Sequence, residues 1–194
     1  MKTLIASIDS DIGSALYKLL PDADTTSRLG KGHYYLDVTQ NCHLALNQAY
    51  DRVYYTISAD STASVHEIFN TTVIGTWNFL SFIGNGWLKP GAQVIVLSSR
   101  IGSITEVCDD RFPIYRMSKA ALNMGVALLS QKYPVASWVC QHPGLVFTKL
   151  SSQNVTQFNG LIITPDESAR MIIETANKRL PFGFYNIQGQ VIPW

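Results

Sequence analysis

The sequence predicts an α/β fold, a doubly wound parallel sheet in a single domain. Short β-rich runs alternate with helical stretches along the whole chain. Several of those runs are apolar throughout, as strands are when helices cover both faces of a sheet. No internal repeat, low-complexity tract or Pro/Gly/Ser-rich linker divides the 194 residues, a length that suits one domain.

In chain order, 3–7 reads as a strand and 12–20 as the helix behind it. The quartet Thr25-Thr26-Ser27-Arg28 stands after the expected second strand. A strand at 33–38 and a helix at 44–50 follow, then a strand at 52–58 and a long helix at 65–82. The rhythm continues with a strand at 93–99, a helix at 115–131, a strand at 136–142, a helix at 166–178 and a closing strand near 182–187. In such sheets a ligand sits beyond the carboxyl ends of the strands, so residues just after strands carry the functional information.

Composition narrows the classes. The 15 basic and 14 acidic side chains nearly cancel and no basic run is interleaved with aromatics, so nucleic acid is not an expected partner. An apolar share of 46% is enough for a sizeable core. Cys42, Cys108 and Cys140 are odd in number and far apart, which suits reduced thiols. Residues 1–7 are too few for a signal segment and no stretch approaches a membrane span, so a cytoplasmic protein without membrane contact is expected. The sequons at Asn70 and Asn154 are then coincidental. His33, His43, His66 and His142 lack metal-ligand spacing, and no metal is expected.

Tyr115 and Lys119 lie four apart at the start of a helical pattern, so both project from one face. A phenol is a poor acid at neutral pH unless a nearby ammonium stabilises its phenolate, and Lys119 supplies that charge. Tyr-x-x-x-Lys alone also describes a solvated pair. The buried run Val94-Ile95-Val96-Leu97-Ser98-Ser99 before it, followed by Arg100-Ile101-Gly102, adds a hydroxyl at a strand's carboxyl end.

In that order of strand, Ser, Gly and Tyr-x-x-x-Lys, the sequence resembles the short-chain dehydrogenase/reductase family. Ser99 fits the family's Ser-x-x-Gly better than Ser98, because Gly102 follows it by three. His142-Pro143-Gly144-Leu145-Val146-Phe147-Thr148 is similar to the Pro-Gly-x-Val-x-Thr segment that closes over the nicotinamide half of the cofactor. Asp37-Val38 resembles the pair that contacts adenine. The stretch 115–124 and the terminal Gly189-Gln190-Val191-Ile192-Pro193-Trp194 are similar to the compact C-factor-like branch.

The resemblance implies a Rossmann-like sheet over residues 1–194 and hydride transfer between a nicotinamide and a small carbonyl or alcohol, with Tyr115 moving the proton. Ser99 would hydrogen-bond the reacting oxygen, and Lys119 would assist Tyr115 and hold the nicotinamide ribose. The first loop, Ser7-Ile8-Asp9-Ser10-Asp11-Ile12-Gly13, would receive the pyrophosphate through Ser7, Asp9, Ser10, Ile12 and Gly13. Ser7 and Asp11 stand where the family has glycines, and Ser10 or Asp11 equally reads as the helix N-cap. The family's Asn-Asn-Ala-Gly falls on Tyr55-Thr56-Ile57-Ser58, assigning Thr56, Ile57 and Ser58 to the cofactor, and its structural asparagine falls on Thr72, two residues after Asn70. Ser27 and Arg28, with no acidic residue beside them, point to NADP(H), with NAD(H) also admitted.

The aromatic-rich stretch 69–82 resembles the helix that pairs family subunits, which implies a homodimer or homotetramer. The short polar segment 149–161 suggests an open, permissive pocket. The eroded glycine loop leaves a second reading, a non-enzymatic sensing or interaction protein that binds cofactor weakly or not at all.

Overall fold

The computed structural model describes residues 1–40, 42, 44–107, 109–149 and 160–194. His43, Cys108, Asn154 and most of the 149–161 segment therefore lie outside the described residues. Seven parallel strands form the central sheet: β1 (Thr3–Ala6), β2 (Asp24–Ser27), β3 (Tyr34–Tyr35), β4 (Tyr50–Tyr55), β5 (Leu88–Leu97), β6 (Ala136–Gln141) and β9 (Gly183–Tyr185). They lie side by side in the order β3-β2-β1-β4-β5-β6-β9. The order reverses between β1 and β4, and the carboxyl ends of those strands define the groove.

Side chains alternate across the sheet into two cores. Leu4, Val53, Tyr55, Val94 and Val96 pack with Phe79, Leu80 and Val126 on one face. Ile5, Tyr54, Ile95 and Leu97 meet Leu16 and Ile172 on the other. The first face is covered by α3 (Thr76–Gly84) and α4 (Pro113–Lys132), the second by α1 (Asp11–Leu19) and α5 (Pro165–Asn177). Apolar residues are needed on both faces, which is why these strands read as unbroken apolar runs. A two-stranded sheet, β7 (Leu145–Val146) with β8 (Ile162–Ile163), stands apart from the main one. Among the described residues no helix is long and apolar enough to cross a membrane.

Four expectations are corrected. The second strand is the Thr25–Ser27 stretch itself, entered at Asp24, and the run at 33–38 keeps only Tyr34–Tyr35 as strand. The helix expected at 44–50 does not form: Leu44 and Leu46 alternate with a period of two and each drops into the core, which suits extended chain. The helix expected at 65–82 is broken into α2 (Val65–Phe69), a π-helical turn at Asn70–Gly75, and α3. Thr71-Thr72-Val73-Ile74 is a β-branched run, and Thr76 Oγ1 donates back to the Thr72 carbonyl at 2.7 Å. Gly75 completes the break, since a Cβ there would stand 2.7 Å from the Val38 carbonyl oxygen.

Candidate active site

Tyr115 and Lys119 occupy the first turns of α4, which opens on Pro113 after Phe112 at φ 54°. Lys119 is 2% exposed, with its ammonium 5.4 Å from the Tyr115 ring centroid. No carboxylate pairs with that ammonium among the described residues, and it faces the electron-rich ring of the phenol.

The two serines at the end of β5 part company. Ser98 Oγ donates to Asn123 Oδ1 at 2.6 Å inside the core, whereas Ser99 is half-buried and its Oγ has no partner among the described residues. Gly102 explains the Ser-x-x-Gly spacing. The 3₁₀ turn Arg100–Gly102 passes so close to α4 that a Cβ would meet Lys119 Cβ at 2.7 Å.

Parallel register brings in a further hydroxyl. Tyr55 pairs with Val96, so Ser58 and Ser99 leave their strands at the same level, three residues beyond that pair. Ser58 Oγ lies 3.5 Å from Tyr115 Oη. The family pattern places Ser58 against the cofactor; its proximity to the phenol needs the strand pairing to be seen. Thr72, fully buried, accepts from the Ala59 N–H at 3.3 Å beneath this loop, while Asn70 ends α2 half-buried. Ile57 packs at the edge of the larger core.

The first loop keeps a glycine-like backbone without the glycine. Ser7 sits at φ 75°, held by its N–H donating to Thr26 Oγ1 at 2.9 Å and by its carbonyl accepting from Thr56 Oγ1 at 2.9 Å. Gly13 is required, because a Cβ would fall 1.9 Å from the Ser7 carbonyl oxygen. Ser10 is the N-cap of α1 and accepts from the Gly13 N–H at 3.0 Å. Asp11 is thereby excluded as the cap; its carboxylate instead accepts from the Lys149 N–H at 2.6 Å. Asp9 reaches β2, accepting from Ser27 Oγ and the Arg28 N–H, both at 2.7 Å.

Asp37 is engaged locally, accepting from the Thr39 N–H at 3.0 Å and Thr39 Oγ1 at 2.7 Å. Desolvation pulls its carboxyl upward, but the Thr39 donors, the Arg28 guanidinium and Gln40 outweigh this and hold it below the usual range. Val38 is 4% exposed and its side chain belongs to the core.

On the opposite wall, Ser168 Oγ donates to the Pro143 carbonyl at 2.7 Å and Gly144 adopts φ 89°. A Cβ at Gly144 would meet Ile163 Cδ1 at 2.8 Å. Val146 pairs with Ile163, and half-buried Thr148 follows. His142 Nδ1 is enclosed without a partner; burial first, then the nearby Arg100 charge, push its pKa down to about 4. Among the described residues no group of three or more His, Cys, Asp or Glu side chains is arranged to hold a metal.

These groups fit a nicotinamide dinucleotide. The N–H groups of Asp11 and Ile12 stand open at the start of α1, where a pyrophosphate is accepted. The open Ser99 hydroxyl, Tyr115 and Lys119 lie at the other end of the groove.

No family model matches the chain. It is 31% identical over 138 residues to the C-signal of Myxococcus xanthus, a match covering 68% of this chain and 80% of that protein. It is 27% identical over 168 residues to an uncharacterized oxidoreductase of Schizosaccharomyces pombe, covering 78% of this chain and 66% of that one. The matched part thus spans slightly under two thirds of the fission-yeast relative's length. Among solved structures, an NADPH-bound carbonyl reductase from chicken fatty liver superposes with a TM-score of 0.77 at 20% identity, covering 100% of this chain and 98% of the other.

Proposed function

Because this chain belongs to the short-chain dehydrogenase/reductase family, we propose that it is an NADP(H)-linked oxidoreductase that interconverts a small carbonyl compound and its alcohol. The observation that carries the reading is the open Ser99 hydroxyl at the end of β5 together with Tyr115 over the buried Lys119 ammonium. In reduction, Tyr115 donates its phenolic proton to the substrate oxygen while Ser99 hydrogen-bonds the same oxygen. Lys119 stabilises the phenolate left behind and holds the nicotinamide ribose. The cofactor, when bound, supplies or accepts the hydride.

The exposed Arg28 after β2 supports a 2′-phosphate partner, with Gly13, Thr56 and the 143–148 wall forming the rest of the groove. Free, buried Cys42 and Cys140 support a cytoplasmic setting. Ile74, Met124 and Leu128 are all more than half exposed on the π turn and α4, and Ile74 also borders, with Val73, Trp77 and Gly125, an apolar hollow of about 130 Å³. These support pairing of two copies through this face.

Titration with NADPH and NADH, followed by a carbonyl panel read at the nicotinamide absorbance, tests the reading. We expect binding and turnover, with Tyr115→Phe removing nearly all turnover and leaving cofactor affinity within about threefold. Failure of both cofactors to bind would overturn it in favour of an interaction protein. The carboxylates of Asp9 and Asp11, which occupy backbone donors of the groove, are the observation that favours that alternative.

A further inference from the structure

The sequence has no acidic residue between Thr25 and Leu36, yet the structure fixes a negative charge at the end of β2. It arrives from the first loop. Asp9 Oδ1 accepts from Ser27 Oγ at 2.7 Å, and Oδ2 accepts from the Arg28 N–H at 2.7 Å and more weakly from the Leu29 N–H at 3.4 Å. Ser27 is 1% exposed and its oxygen accepts from the Leu29 and Lys31 N–H groups, both at 3.0 Å, so its proton is committed to Asp9. The crossing is pinned just ahead of Asp9: the Ser7 N–H donates to Thr26 Oγ1 at 2.9 Å and the Ile8 N–H to the Thr26 carbonyl at 3.0 Å.

In dinucleotide-binding sheets this strand end faces the adenosine ribose. A carboxylate there accepts from a ribose 2′-hydroxyl, and a cationic side chain receives a 2′-phosphate. Here both stand together, Asp9 fixed and half-buried, Arg28 exposed on the turn. A carboxylate oxygen has lone pairs to spare after the bonds above, so it accepts one more hydroxyl without losing them. A phosphate brings no such proton and is repelled.

We propose that Asp9 narrows the cofactor preference, favouring the 2′-hydroxyl of NAD(H) and opposing the 2′-phosphate that Arg28 attracts. The proposal rests on the reading of the groove as a dinucleotide site. It makes the protein's discrimination between the two cofactors shallow, because two adjacent side chains pull in opposite directions.

The test uses Asp9→Asn, which keeps the shape and an acceptor oxygen but loses the charge, and Asp9→Ser, which also loses the reach to β2. Affinities are measured by calorimetry for NADPH, NADH, and the half-molecules 2′,5′-ADP and 5′-AMP, with thermal unfolding as the check on folding. In Asp9→Asn, NADPH and 2′,5′-ADP should tighten relative to NADH and 5′-AMP by about tenfold. Asp9→Ser should move the ratio the same way. A ratio within about twofold of the unmutated protein's in both folded variants would overturn the proposal and leave Asp9 as a structural staple, whose loss lowers only the melting temperature. If none of the four probes binds the unmutated protein, the dinucleotide reading itself fails and this proposal falls with it. If NADPH and NADH bind while the ratio stays fixed, only the role of Asp9 is lost.

Discussion

Ser98 and Ser99 are neighbours with opposite commitments, and the difference can be measured. Ser98→Ala would leave Asn123 buried with its Oδ1 unpaired, beside an Nδ2 that already lacks a partner. We expect a stability loss of about 1–3 kcal/mol by denaturant unfolding. Ser99→Ala removes a hydroxyl that holds nothing in place, so turnover should fall by about tenfold or more while stability changes by less than about 0.5 kcal/mol. His142 offers a pH readout. Its pKa is about 4 in the folded chain against 6.5 for the free side chain, so the unfolded state binds the extra proton between those values. Stability should be full above pH 6.5 and decline toward pH 4 by at most about 3 kcal/mol. His142→Gln should flatten that slope in unfolding curves collected across the window.

At the scale of elements, α5 shows how a terminus is secured by local sequence alone. Thr164 Oγ1 accepts from the Glu167 N–H at 3.2 Å while the Glu167 carboxylate accepts from the Thr164 N–H at 2.8 Å, and Pro165 begins the helix. Thr164→Ala should cost about 1 kcal/mol, read as a shift in unfolding midpoint. The Thr-Pro-Asp-Glu order makes this end legible in the sequence itself. The alternating strands and helices are equally legible, because burial on both faces leaves an apolar run. The 44–50 segment is not: a few leucines fit either period, and only tertiary burial decides between them. Nor does local pattern show Asp9 reaching Ser27, eighteen residues away, or Ser58 reaching Tyr115: the first meeting is made by the pairing of β1 with β2, the second by the packing of α4 against the sheet beside β4 and β5. The choice between Ser10 and Asp11 as N-cap turns on one carboxylate finding a distant N–H on Lys149.

For the whole molecule, the exposed apolar face along the π turn and α4 sets the expected assembly. Met124→Glu combined with Leu128→Glu would place like charges on one face of each copy, which repel one another and which a dry contact cannot hydrate. Light scattering after size exclusion should show two or four copies for the unmutated protein and one copy for the double variant, with unchanged circular dichroism. A monomer in both cases would refute pairing through this face.

Residues 182–194 lend the loop after Ser99 its shape. Ser103 Oγ donates to the Pro193 carbonyl and Thr105 Oγ1 to the Trp194 carbonyl, each at 2.6 Å, while the Trp194 ring stacks at 5.6 Å on both Phe182 and Phe184. The loop following Ser99 thus borrows its acceptors from residues some ninety positions downstream. During synthesis, a nascent chain that has emerged only as far as β6 can already pair β1, β4 and β5, yet its Ser99 loop still lacks those acceptors. That loop then acquires its shape only once residues 182–194 have been made, rather than with the closing of the sheet.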